Sequence, residues 1–165
     1  MTLIESLRDE FEHETATTRR HLARVPDDRL DWRPHAKSYT ARGLASHLVE
    51  CVGWTTRIFG ADEFDIDPTS YSPFSAASVA DLLRGFDTTV DDGRRLLAVA
   101  SEDDAARPWR LKIRGRQRFE RTRAAAFRDF TLSHVIHHRG QLSVYLRLLE
   151  IPVPGSYGPT ADEQF

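Results

Sequence analysis

Four stretches of this 165-residue chain repeat apolar residues at the spacing of an α-helix, and this pattern constrains the fold most strongly. An apolar stripe along one side of a helix has to be buried against neighbouring elements. Four such helices in one chain predict an all-α fold, a four-helix bundle. The stripes cover residues 4–25, 44–58, 79–97 and 127–149, and the last helix is predicted over about residues 122–150.

The segments between the stripes predict how the helices are connected. Residues 61–77 are rich in Asp, Ser and Pro and predict a loop, whereas Thr40 suits the N-cap of the second helix. Apolar and charged residues alternate over residues 109–114 and Gly115 follows, which predicts a short extended or hairpin segment between helices 3 and 4. The long connections allow a crossover instead of a simple up-and-down order.

Length and composition set the class of protein. A chain of 165 residues suits a single domain over residues 1–165, and its 23 bases nearly balance 25 acids. With one cysteine, Cys51, the chain cannot form an internal disulfide. No apolar run approaches the roughly 18 residues of a membrane span, and the first ten residues lack the apolar core of a secretory signal. We therefore expect a cytoplasmic protein without membrane contact.

Three of the seven histidines fall on the inner faces of predicted helices. His134 and His138 are four residues apart, so one side of the last helix presents both rings. His47 lies on the apolar stripe of the second helix, between Leu44 and Leu48. Three imidazoles from facing helices form the ligand set of a metal site that keeps one position open. A buried histidine is also a common hydrogen-bonded core residue, which is the alternative reading for each of them.

Several neighbouring residues offer alternatives at this site. His137 lies about 100° away from His138 around the helix, so we prefer His138 as the ligand. Cys51, four residues after His47, can face the same point as a sulfur ligand or serve as a small core residue. Glu50 is the nearest carboxylate for a general base, or a solvent-facing residue. The remaining histidines, which are expected at the surface, are His13, His21 and His35.

A basic segment covers residues 107–128, where nine Arg and Lys residues accompany a single acid, Glu120. Together with Trp109 and Phe119, these bases can bind phosphate groups or single-stranded nucleic acid. The alternative is a solvated hairpin whose charges are balanced by the acidic residues of 62–67 and 102–104. We favour the balanced hairpin and do not expect a nucleic-acid partner.

Several short motifs lie towards the end of the chain: the run HVIHHRGQL from His134, the following YLRLL, and the segments PVP and YGPTADE. The segments WRP and LASHL lie before and within the second helix. These motifs give the chain a resemblance to the DinB family of small metal-binding proteins. It implies a DinB/YfiT-like four-helix bundle, a homodimer, and one divalent metal ion on His47, His134 and His138. It covers nearly the whole chain.

The resemblance leaves the reaction open. The metal in such proteins is zinc, nickel, iron or manganese, and the wider superfamily includes transferases that use a low-molecular-weight thiol. We therefore predict a metal-dependent enzyme acting on a small-molecule substrate, with thiol transfer ahead of hydrolysis. A non-catalytic, metal-stabilised binding module is the other hypothesis.

Overall fold

The computed structural model describes residues 1–164, which form five helices and a three-stranded sheet. Helix α1 spans Leu3–Leu22, α2 spans Ala41–Phe59, α3 spans Val79–Val99 and the short α4 spans Glu102–Ala106. Helix α5 covers Arg123–Phe127, passes through a π-helical turn at Arg128–Leu132 and continues over Ser133–Leu148. The strands are β1 at Glu63–Ile66, β2 at Pro108–Ile113 and β3 at Arg116–Thr122.

The four long helices confirm the predicted bundle, with a crossover in their order. Helix α1 packs against α3 and α5, and α2 packs against the same two helices. Helices α1 and α2 therefore lie diagonally opposite each other, and the connection between them, which includes a 3₁₀ turn at Asp27–Arg29, crosses the end of the bundle. This order makes α2 and α5 neighbours. None of the helices within residues 1–164 has the length and hydropathy needed to cross a membrane.

The prediction of an all-α fold was wrong, because a small sheet flanks the bundle. The predicted hairpin is present as β2 and β3, which pair antiparallel around a turn in which Arg114 and Gly115 both have positive φ angles. Strand β1 was predicted as part of a loop, and it pairs in parallel with β2. Its four residues are too few for a recognisable alternation, and the pairing depends on β2, which is more than forty residues away.

Local capping explains where the helices begin and end. The Thr40 hydroxyl accepts a hydrogen bond from the Gly43 amide and caps α2 as predicted. Thr122 caps α5 in the same way. At the other end, Glu150 adopts a left-handed conformation with φ of 58°, and the Ile151 amide donates to the Leu146 carbonyl, so α5 ends at Leu148. The helix begins and ends within two residues of the predicted bounds.

A buried ionic network joins α1, α5 and the C-terminal tail. The Arg139 guanidinium donates to a Glu14 carboxylate oxygen at 2.6 Å, and both side chains are at most 5% exposed. The Tyr157 hydroxyl donates to the other Glu14 oxygen at 2.8 Å and accepts from Arg139 at 2.9 Å. These bonds hold the tail against the bundle and anchor α5 to α1. His21, which was expected at the surface, is also fully buried in α1, and burial lowers the pKa of its ring.

Removing the Glu14 carboxylate should destabilise the protein because the Arg139 charge would stay buried without a partner. We expect Glu14→Ala to lower the free energy of unfolding by about 3–5 kcal/mol, measured by urea denaturation. The matched control is Asp87→Ala, which breaks the half-exposed Arg19–Asp87 pair and should cost at most about 1 kcal/mol. Equal losses in the two variants would contradict a special role for the buried network.

Candidate metal centre

Three histidines and one cysteine from α2 and α5 converge on one point. One ligand atom from each of His47, Cys51, His134 and His138 lies within 4.8 Å of the corresponding atom of every other. The ring centres of His47 lie 5.1 Å from His134 and 4.8 Å from His138, and those of His134 and His138 lie 4.7 Å apart. The structure therefore brings together the three histidines chosen from the sequence, with the cysteine beside them.

Helical spacing on two adjacent helices explains the convergence. His47 and Cys51 are one turn apart on α2, and His134 and His138 are one turn apart on α5. The π-helical turn at Arg128–Leu132 ends two residues before His134. Such turns are rare in proteins and are frequent at functional sites. His137 is exposed and is not part of the cluster, although its ring centre lies 4.8 Å from that of His138.

Each of the three rings also has a hydrogen-bond partner that orients it. The Nδ1 atom of His47 lies 2.9 Å from a Glu50 carboxylate oxygen, and that of His138 lies 2.7 Å from the Gln141 side-chain oxygen. The Phe130 backbone carbonyl, one turn before His134, bonds to the His134 ring. An acceptor at Nδ1 holds the proton there and leaves the Nε2 lone pair for a cation. This is the usual environment of histidines that bind metal ions.

Glu50 connects the histidine cluster to the loop after β1. While one carboxylate oxygen bonds to His47, the other accepts from the Tyr71 hydroxyl at 2.7 Å and from the Phe74 amide at 3.1 Å. The Glu50 side chain is 14% exposed, so it is not the solvent-facing residue that the sequence allowed. Sequence reasoning missed Tyr71 and Gln141. The position of Gln141, three residues after His138, was the one available signal.

The electrostatics of the centre favour the neutral form of His134 and His138. Burial and the neighbouring His138 and His47 lower the pKa of His134 to about 4, and burial also lowers the pKa of His138. Burial raises the pKa of the Cys51 thiol to about 12, so without an ion the thiol is neutral. Neutral imidazoles are the protonation state that coordinates a metal. The donor set of ring nitrogens and one sulfur fits a divalent first-row ion and does not suit magnesium or calcium.

A cleft of about 260 Å³ lies beside the centre. Glu50 and Tyr71 line it together with Trp54, Arg57 and Phe64. The Arg57 guanidinium lies 4.7 Å from the centre of the Phe64 ring, and Trp54 stacks on Phe130. The cleft thus combines aromatic surface with one cationic group, and it touches the carboxylate that bonds to His47.

The basic segment is largely neutralised, as the sequence analysis favoured. Six of its nine bases form ion pairs, with partners that include Asp62, Glu63 and Asp104 in the acidic stretches named above. Within residues 1–164, the bases that have no carboxylate partner lie together at the hairpin turn: Arg114, Arg116 and Arg118. Phe119 stacks on Phe130 with ring centres 5.1 Å apart, which places the hairpin next to the helix that carries His134.

The fold and the cluster define a class of protein, a helical bundle with a histidine-rich candidate metal centre between two neighbouring helices. The chain belongs to the DinB superfamily, which it matches over residues 10–142. No curated protein matches the chain.

Solved structures of bacterial DinB-like proteins share the fold. One from Bacillus cereus is 18% identical with a TM-score of 0.74, and 93% of this chain and 97% of that chain are covered. One from Bacillus subtilis is 19% identical with a TM-score of 0.70, at coverages of 96% and 98%. A member of the family from Exiguobacterium sibiricum is 17% identical with a TM-score of 0.66, at coverages of 94% and 97%. At these identities the similarity establishes the fold alone.

The hydrogen bond that His47 donates to Glu50 should strengthen metal binding, because it orients the ring and increases its basicity. We expect Glu50→Gln to weaken the affinity for Zn²⁺ by about 10–100-fold, measured by competition with a chromophoric chelator. Glu120→Gln, which alters a half-exposed carboxylate on β3, is the control and should leave the affinity unchanged. Unchanged affinity in both variants would exclude a role for Glu50 in orienting the ligand.

Proposed function

We propose that this protein is a metal-dependent enzyme in which His47, His134 and His138 hold one divalent ion. The observation that carries the proposal is the convergence of three rings, of which His47 and His138 have their Nδ1 atoms engaged by Glu50 and Gln141. Three imidazoles provide the ligand set of catalytic sites in which one position is open to water or substrate. Zinc, nickel, iron and manganese are the candidate ions.

Thiol transfer is the reaction class that the surroundings of the centre favour. A divalent ion held by neutral ligands lowers the pKa of a bound water or thiol towards neutrality, and a thiolate is then nucleophilic without further help. Water attack benefits from a free carboxylate base. Both Glu50 oxygens already accept hydrogen bonds, from His47 on one side and from Tyr71 and Phe74 on the other. We therefore propose a low-molecular-weight thiol as the nucleophile. Hydrolysis, in which water is the nucleophile, is the second candidate reaction.

The protein's own residues would position both reactants. Glu50 keeps the His47 ring oriented, and Trp54 and Phe64 provide aromatic surface for the electrophile in the adjacent cleft. Arg57, which stacks on Phe64, offers a cation to an acidic substrate group. We also propose that the substrate is a small molecule, that the protein forms a homodimer and that it is located in the cytoplasm. A nucleic-acid partner is not part of it, since most bases of the 107–128 segment are paired.

Metal content is the first test of the proposal. We expect about one equivalent of metal per chain in untagged wild-type protein, measured by mass spectrometry after reconstitution. His138→Ala should lose the metal because it removes a ligand. His137→Ala is the matched control, since the neighbouring ring is exposed and lies outside the cluster, and it should keep the metal. Metal absent from all three proteins would overturn the proposed site.

Turnover separates an enzyme from a metal-stabilised binding module. With the metal bound, we expect the protein to accelerate transfer of a low-molecular-weight thiol to an electrophile such as monobromobimane, and the chelated protein to lose this rate. The rate is followed by the fluorescence of the product. A large fall in melting temperature on metal removal, with no rate for any thiol or ester tested, would instead support the binding module.

A further inference from the structure

We propose that Cys51 is a fourth protein ligand, so that the metal is held by three imidazole nitrogens and one thiolate sulfur. The inference rests on the metal centre proposed above and extends it to the identity of the ion and to the way in which substrate reaches it. It adds one ligand to the three-histidine site, and this ligand affects both which ion is preferred and how substrate reaches the ion.

The surroundings of Cys51 distinguish it from an ordinary core cysteine. Its side chain is completely buried, and its sulfur lies within 4.8 Å of a ligand nitrogen of each of His47, His134 and His138. A cysteine that only fills the core would be surrounded by apolar side chains. Here the sulfur lies beside a nitrogen of each of three imidazole rings, two of which are oriented by partners at Nδ1, Glu50 for His47 and Gln141 for His138. The spacing of four residues from His47 places sulfur and ring on the same side of α2.

Coordination would convert the thiol to a thiolate. As the metal–sulfur bond forms, the sulfur keeps the electron pair of its S–H bond and the proton leaves to solvent. The thiolate then compensates one of the two positive charges of the ion inside the bundle, where an uncompensated charge is costly. A soft sulfur ligand favours zinc, iron or nickel and disfavours manganese among the four candidate ions.

The fourth ligand also changes how a substrate can bind. Three histidines and one cysteine complete the tetrahedron of a zinc ion, and sites closed in this way are usually structural. Catalysis would then need room for a nucleophile beside Cys51, and the partly exposed His47 and His134 mark the side from which it could enter.

Cobalt substitution of the full-length protein tests this inference. Cys51 is the one cysteine in the sequence, so a sulfur-to-cobalt charge-transfer band in the near ultraviolet can arise from no other residue. We expect the Co²⁺ form of the wild type to show this band and Cys51→Ser to lose it entirely. Val52→Ala shortens a similarly buried side chain on the same helix and leaves every candidate ligand in place, so it should keep the band. Melting of the metal-free variants checks that each is folded.

A second measurement addresses the selectivity for the metal. The ratio of the affinities for Zn²⁺ and Mn²⁺, measured by competition, should fall in Cys51→Ser and stay unchanged in Val52→Ala. Wild-type protein that binds Co²⁺ with visible d–d bands but no charge-transfer band would overturn the role of Cys51 and leave the three-histidine site standing. Failure of the wild type to bind Co²⁺ at all would overturn both the inference and the proposed metal centre.

Discussion

The contact between α2 and α5 is the constraint on which the candidate centre depends. Each helix carries two of the converging side chains, His47 and Cys51 on α2 and His134 and His138 on α5, so neither helix can form the cluster alone. In a simple up-and-down bundle α1 would lie between its sequence neighbour and the last helix. The crossover instead places α1 diagonally opposite α2, and α2 becomes the partner of α5. The topology of the bundle therefore creates the centre.

Polar partners surround this contact on both sides. On the loop side, Glu50 bonds to His47 and to the segment after β1, so the orientation of the ring is coupled to the packing of that segment. On the side of α5 that faces α1, Arg139 follows His138 directly in sequence and is anchored to Glu14 of α1. A helix anchored to its neighbour by a buried ionic network has little freedom to rotate. The two histidines that face α2 therefore keep their positions relative to that helix.

Sequence reasoning was successful where a periodic pattern lies within one element. It identified the four long helices, the Thr40 cap and the hairpin. The choice of His138 over His137 as a metal ligand stays a prediction, and the cluster contains His138 but not His137. It missed β1, because four residues gain their structure from a distant strand. It also placed His21 at the surface, since the edge of an apolar stripe becomes buried or exposed according to which helix packs there.

The sequence by itself determined which side chains share a helix face, because the 3.6-residue repeat is a local property of the backbone. The sequence therefore identified two separate pairs of neighbouring side chains, His134 with His138 and His47 with Cys51. Only the tertiary structure decided that the two pairs meet, and that Glu50, Gln141 and the Phe130 carbonyl bond to the rings. These contacts depend on which helices are neighbours and on their rotation. Both are set by burial of the whole apolar surface rather than by any single segment.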